Sequence, residues 1–239
     1  MLDFGLFPGG EAVRTAALLA LVILAQPALA PAGTVRGRVE LIDKGGRKAT
    51  DLSDVVVFLD GVKAPLLPRG PGARPRPTRV TMTMKGKSFV PRVVVVPVGG
   101  AVDFPNEDPI FHNVFSVSGD NRFDLDLYKR PKSGSWTFQH PGVARVYCNI
   151  HPQMSAVVVV RDNPYFAKAA QDGAFSIPDV PAGRYTLKAW NERAGEVGRE
   201  IVVPAQGDVE AGLTLDASAF KRAAHKNKFG KDYAGDEKY

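Results

Sequence analysis

VYCNIHPQMSAVVVV, from Val146 to Val160, decides how this chain is read. Apolar residues ending at Tyr147 and the run Ala156 to Val160 flank a loop that holds Cys148, His151 and Met154 at C-x2-H-x2-M spacing. Short valine-rich runs bounded by a proline-containing loop read as buried strands. The loop therefore lies at the end of a sheet, with a thiolate, an imidazole and a thioether crowded together.

Soft and borderline donors of this kind select copper. Zinc is the competing metal, but its sites usually take four strong ligands, and methionine is a poor one. A blue-copper centre needs one further histidine and a weak axial methionine. His112, in DPIFHNVFS from Asp108 to Ser116, supplies the histidine at the edge of another apolar run. Taken singly, His112, Cys148 and Met154 read as ordinary core or surface residues. Together in an exported chain they read as a ligand set, because a free thiol in an oxidising compartment is a liability unless a metal holds it.

Outward from this stretch the chain is strands and turns. Gly33 to Ile42 alternates Val35, Gly37, Val39 and Leu41 against Arg36, Arg38 and Glu40, the pattern of a half-buried strand. DVVVFL, Asp54 to Leu59, is a more buried strand closed by Asp60-Gly61. Val80, Met82 and Met84 alternate, and Val93 to Val98, Ala101 to Phe104, Val114 to Val117, Trp136 to Phe138 and Val143 to Tyr147 follow. Beyond Asp172-Gly173 come Ala174 to Ile177, Arg184 to Asn191, Glu200 to Val203 and Val209 to Leu215. Short strands at close spacing, with no convincing long helix, predict an all-β chain of sandwiches or barrels. A hydrophobic fraction of 44 % with 23 % charged residues fits a chain that buries a core, and a single cysteine excludes a disulfide scaffold. The stretch Ala64 to Arg79 is too rich in proline and arginine to pair inside a sheet, so residues 62–78 read as a linker.

The run Ala16 to Ala25 is apolar but shorter than the about 20 residues a membrane span needs. Arg14 before it and Ala28 and Ala30 after it give residues 1–30 a signal-peptide pattern, cut after Ala30 or Ala32; a buried N-terminal helix is the competing reading. No later run has the length and apolarity of a membrane span, so a periplasmic or secreted protein with no integral membrane segment in its mature chain is expected. Losing Arg14, Asp3 and Glu11 with the leader takes away one cation and two anions and moves the formal charge from +6 to +7. That balance suits an acidic protein partner, and export argues against nucleic acid. Arg69, Arg74, Arg76 and Arg79 cluster in the linker, and Lys221, Arg222, Lys226, Lys228 and Lys231 in a tail over 217–239 that reads as solvated.

VDFPNEDPIFHNVFS (Val102 to Ser116) and FQHPGVARVYCNIHPQM (Phe138 to Met154) resemble the cupredoxins, and the short C-x2-H-x2-M loop is most similar to that of amicyanin. The resemblance covers residues 79–162 and implies a Greek-key β-sandwich holding one type 1 copper ion. It implies His112, Cys148 and His151 as trigonal ligands, Met154 as the axial ligand, and Asn113 as a link between the two ligand loops. DGAFSIPDVPAGRYTLKAW, Asp172 to Trp190, resembles more weakly a carboxypeptidase regulatory-like, transthyretin-like sandwich, which implies a second small module over 164–216. That segment has little core of its own, so the strands within 33–61 are expected to complete it, with the cupredoxin inserted between the two halves; the alternative places them in the cupredoxin sheet.

The resulting expectation is a one-electron carrier between redox partners, with Ile110, Phe111 and Pro152 as an apolar docking surface. A copper delivery or storage protein, and a structural binding module on a cupredoxin scaffold, are the alternatives. An enzyme is not expected, because beyond His112 and His151 the chain has only His140 and His225, too few for a histidine-rich second centre.

Overall fold

The computed structural model describes residues 32–62, 78–221 and 223–233. The leader expected over 1–30 and the linker residues 63–77 lie outside the described residues. Among those described, every regular element is a strand except one 3-10 turn at Lys44–Gly46.

The first two strands are β1 (Ala32–Ile42) and β2 (Val56–Asp60). Ten more follow: β3 (Arg79–Thr81), β4 (Thr83–Met84), β5 (Phe89–Val90), β6 (Val93–Pro97), β7 (Ala101–Pro105), β8 (His112–Ser118), β9 (Asn121–Tyr128), β10 (Ser133–Thr137), β11 (Gly142–Tyr147) and β12 (Ser155–Arg161). The last six are β13 (Phe166–Lys168), β14 (Ala174–Pro181), β15 (Gly183–Asn191), β16 (Gly195–Val203), β17 (Val209–Glu210) and β18 (Leu213–Asp216).

Strands β3 to β12 form one sandwich. A sheet in the order β6-β12-β11-β8-β9 faces the sheet β10-β7-β3, with the β4-β5 hairpin beside them. Met82, Met84, Phe104, Phe138, Val146, Val158 and Val160 fill the space between, together with Cys148 and Met154. Strand β9 is absent from the sequence reading, although Phe123 and Leu125 alternate with Arg122, Asp124 and Asp126. A left-handed Asp126 (φ 57°) breaks that alternation, so Leu127 is exposed and Tyr128 buried.

Strands β1, β2 and β13 to β18 form the other sandwich. Strand β1 pairs antiparallel with β14 and parallel with β17 and β18. Strand β2 lies between β13 and β15, which continues to β16. Val35, Val39, Leu41, Val57, Leu59, Ile177, Leu187 and Leu215 fill this second core. The turn Asp172-Gly173 is tied to β1: Val39 N–H donates to the Gly173 carbonyl at 2.9 Å, and Gly173 adopts φ 84°.

The two sandwiches share a wall, which accounts for two runs that fail to alternate. Side chains on a strand point alternately to opposite faces, so a strand apolar at every position must be covered on both sides. In β12, Ala156, Val158 and Val160 enter the first core, while Val157 and Val159 meet Val56 and Phe58 of β2 and Trp190 of β15. In β2, Val57 and Leu59 face the second core, and Val56 and Phe58 face β12. The Arg161 guanidinium lies 3.6 Å from the Phe58 ring centroid, and Arg92 pairs with Glu192 across the same seam.

Candidate metal centre

The site is assembled by the junction of β8 with β11. Strand β8 starts at His112, and its Phe115 pairs with Tyr147 at the end of β11, one residue before Cys148. Opposite β9, the register of β8 shifts between Asn113 and Phe115, a bulge of the kind that re-aims side chains beside functional sites. The Asn113 N–H then points at the Cys148 sulfur, 3.4 Å away. Its side-chain amide donates to Asp124 at 2.7 Å and to the Asp126 carbonyl at 3.0 Å. Across the loop, Cys148 N–H donates to the Met154 carbonyl at 3.2 Å, and Met154 N–H donates to the His151 carbonyl at 3.0 Å. These two bonds fold residues 148–154 into a closed turn.

Three donor atoms converge there. His112 Nδ1 and His151 Nδ1 are 3.0 Å apart, Cys148 Sγ is 3.6 Å from His151 Nδ1, and all three ligand atoms lie within 4.8 Å of one another. Among the described residues this is the one such group of His, Cys, Asp or Glu side chains. His112 and Cys148 are fully buried and His151 nearly so. Met154 is equally buried, in the same cluster as Cys148 and bonded through its backbone to the ends of the loop.

Asp108, which the sequence reading did not single out, orients His112. Its Oδ2 accepts from His112 Nε2 at 2.8 Å, so Nε2 carries the proton and Nδ1 presents its lone pair to the cluster. The same carboxylate accepts the backbone N–H groups of Gly86 and Lys87 at 2.8 and 2.9 Å. Burial works to raise the Asp108 pKa, but the Lys87 amide, the His112 imidazole and the Gly86 amide outweigh it and hold the carboxyl below its ordinary range. Burial pushes the Cys148 thiol up, against the backbone amides of Asn113, Ile150 and His151, and the same desolvation, helped by His112, lowers His151.

This donor set fits one soft or borderline cation. Metal–nitrogen bonds of about 2.0 Å and metal–sulfur bonds of about 2.3 Å can be met at once by nitrogens 3.0 Å apart and a sulfur 3.6 Å from one of them. A cation there also offsets the cost that burial imposes on the thiolate.

Most of residues 223–233 are exposed, as the solvated reading expects, but His225, Lys228 and Tyr233 are partly buried and reach the ligand loop. His225 stacks on Tyr147, with ring centroids 4.0 Å apart, and its Nε2 donates to the Pro152 carbonyl at 2.7 Å. Tyr233 Oη donates to the Cys148 carbonyl at 2.8 Å, and Lys228 N–H donates to Asn149 Oδ1 at 3.0 Å. Each anchor is a single side chain or amide at irregular spacing, so no periodicity marks the segment. Several of the basic residues expected to steer a partner are already paired: Arg79 with Asp103, Lys226 with Asp232 and Lys228 with Asp124. Arg69, Arg74, Arg76 and Arg222 lie outside the described residues. His140 serves the fold through its carbonyl, which accepts from Asn121 Nδ2 at 2.9 Å.

Comparison with solved structures finds copper proteins among those to which the chain is similar. The chain is similar to a Cu-containing nitrite reductase from Thermus scotoductus SA-01, at 30 % identity and TM-score 0.36 over 40 % of this chain. It is similar to a purple cupredoxin from Nitrosopumilus maritimus, at 22 % identity and TM-score 0.31 over 34 % of this chain and 98 % of that one. It is also similar to a reduced Cu(I) amicyanin variant, at 26 % identity and TM-score 0.33, over 35 % of this chain and 82 % of that one. The likeness is to cupredoxins. The chain spans only 25 % of the nitrite reductase. A family model described as polysaccharide lyase family 4, domain II, matches residues 142–210, from β11 through β17. Among curated proteins, none matches the chain.

Proposed function

We propose that this protein is an exported type 1 copper protein that carries one electron at a time between redox partners. In this reading His112, Cys148 and His151 are the strong ligands and Met154 is the axial one. The observation that carries it is the convergence of one buried sulfur and two Nδ1 atoms, with His112 turned toward the group by Asp108. Copper bound there supplies one-electron chemistry between Cu(I) and Cu(II).

The protein's part is to hold the donors still. The closed turn over 148–154, the Asp108 bond to His112 and the Asn113 N–H on the sulfur fix three ligands before any metal arrives, and burial keeps bulk water away. Little then has to move when the charge changes. Phe111, 49 % exposed one residue before His112, offers with Ile110 and Pro152 an apolar surface for close approach, and the basic balance favours an acidic protein partner. No helix among the described residues has the length and apolarity to cross a membrane.

The test is reconstitution with Cu(II). A strong thiolate-to-copper charge-transfer colour is expected, lost in Cys148→Ser, together with a reversible one-electron couple. A colourless copper-loaded protein overturns the reading, and rapid copper exchange with an external chelator moves it toward delivery or storage.

A further inference from the structure

We propose that residues 223–233 are a positioning strap for the ligand loop, in which Tyr233, His225 and Lys228 set how firmly Cys148 and His151 are held and tune the sulfur; this rests on the copper reading above. The strap touches the loop at three points. Tyr233 Oη holds the carbonyl of Cys148, Lys228 N–H holds the side chain of Asn149, and His225 Nε2 holds the carbonyl of Pro152, the residue after His151. Those contacts cover both ends of the Cys148-to-His151 stretch, so the two ligands cannot separate without breaking them.

The strap is also braced internally. His225 lies between Tyr147 and Tyr233: it stacks on the first and meets the second edge-on, with ring centroids 5.2 Å apart and its Nδ1 3.2 Å from the Tyr233 oxygen. The Tyr233 hydroxyl is thereby held in place as the donor to the Cys148 carbonyl.

A fourth contact reaches the sulfur by another route. Lys228 Nζ donates to Asp124 Oδ2 at 2.6 Å, Asp124 Oδ1 accepts the Asn113 side-chain amide, and the Asn113 N–H points at Cys148 Sγ. Hydrogen bonding around the cysteine sulfur is one of the levers on the potential of a blue-copper site. Lys228 therefore acts through Asp124 and Asn113: it steadies the sulfur's donor and offsets the Asp124 charge, and both favour the reduced state.

The experiment uses the full chain and two conservative variants. Tyr233→Phe removes one hydroxyl and leaves the ring. Lys228→Met removes the ammonium and leaves the backbone donor to Asn149. Lys226→Ala, in the same segment and paired only with Asp232 on the surface, is the control. In the copper-free protein, amide exchange over 149–154 should quicken roughly five- to ten-fold in Tyr233→Phe, the factor expected for one lost hydrogen bond. In the loaded protein, copper release to a chelator should quicken by a similar factor, and Lys228→Met should lower the midpoint potential without changing the global unfolding temperature. Unchanged exchange and release in Tyr233→Phe, with an unchanged potential in Lys228→Met, overturns the strap. If the wild type takes up no copper, the copper reading fails separately, and the exchange measurement on the copper-free protein still decides the strap.

Discussion

Replacing Asp108 with alanine should cost this protein far more stability than a loop aspartate normally does. The side chain is only 13 % exposed and accepts three hydrogen bonds, from His112 Nε2, Gly86 N and Lys87 N. His112 is fully buried, so Asp108→Ala leaves an imidazole N–H with no partner, at a cost of about 1–3 kcal/mol. The two turn amides are exposed and regain water, so each contributes about 0.5–1 kcal/mol. Lys87 sits at φ 53°, a conformation the carboxylate helps to hold. The total, about 2–5 kcal/mol, corresponds to a fall of roughly 4–20 °C in the unfolding temperature of a chain this size. Asp108→Asn keeps an acceptor and the shape, and should lose about half as much. The assay is thermal unfolding of the copper-free protein at neutral pH, followed by circular dichroism, with nitrogen NMR of His112 to read its tautomer. An Asp108→Ala protein melting within roughly 2 °C of wild type, with His112 still protonated at Nε2, refutes the argument that this carboxylate orients the ligand.

Burial lowers the His151 pKa from its ordinary 6.5, so below that pH the unfolded chain takes up a proton that the folded, copper-free protein resists. Stability measured by urea unfolding should therefore fall as the pH drops below about 6.5, and His151→Gln should flatten that slope; stability that rises on acidification contradicts the sign. Gly173→Ala should lose ~2 kcal/mol or more in the same assay, since Gly173 is at φ 84° and an added Cβ would lie 2.3 Å from the Val39 carbonyl oxygen. Phe58→Ala should lose about 3–5 kcal/mol and speed amide exchange in β12 as well as β2; exchange changes confined to β2 and its sheet neighbours would show that the shared wall carries no coupling. Met154→Leu should retain copper and raise the midpoint potential, as an axial thioether donor favours Cu(II); a folded variant that no longer binds copper rejects the axial role.

Legibility in the sequence followed how local the cause was. The all-β character was readable because alternation at Val35, Val39 and Leu41, and the turn at Asp172-Gly173, are set by neighbours in the chain. The convergence of His112, Cys148 and His151 was readable for a related reason. Cys148, His151 and Met154 share one loop, and only His112 had to be brought in, by one strand pairing. Strand β9 carries the same alternation at Phe123 and Leu125, but it breaks at the left-handed Asp126, beyond which Leu127 is exposed and Tyr128 buried, and the strand was passed over. Asp108 stands four residues before His112, and a carboxylate so close to a proposed ligand is a usable signal for its orienting partner. The tail had no such signal, since Tyr233, Lys228 and His225 each reach the loop through a contact with no counterpart in composition or period.

The unbroken valines of β12 connect these two halves of the molecule. In a free-standing sandwich one face of that strand would meet water, and Val157 and Val159 would be expected to be polar. Here β2 and Trp190 cover them, so the second sandwich occupies the outer face of the strand that begins one residue after Met154. The ligand loop is thus bounded on one side by a strand packed on both faces and on the other by the strap from residues 223–233. Between them Cys148 and His151 have few ways to move apart. Under the proposed copper reading, a site held from both sides is one whose geometry should change little between charge states, the property a one-electron carrier needs and a protein that must release its metal does not.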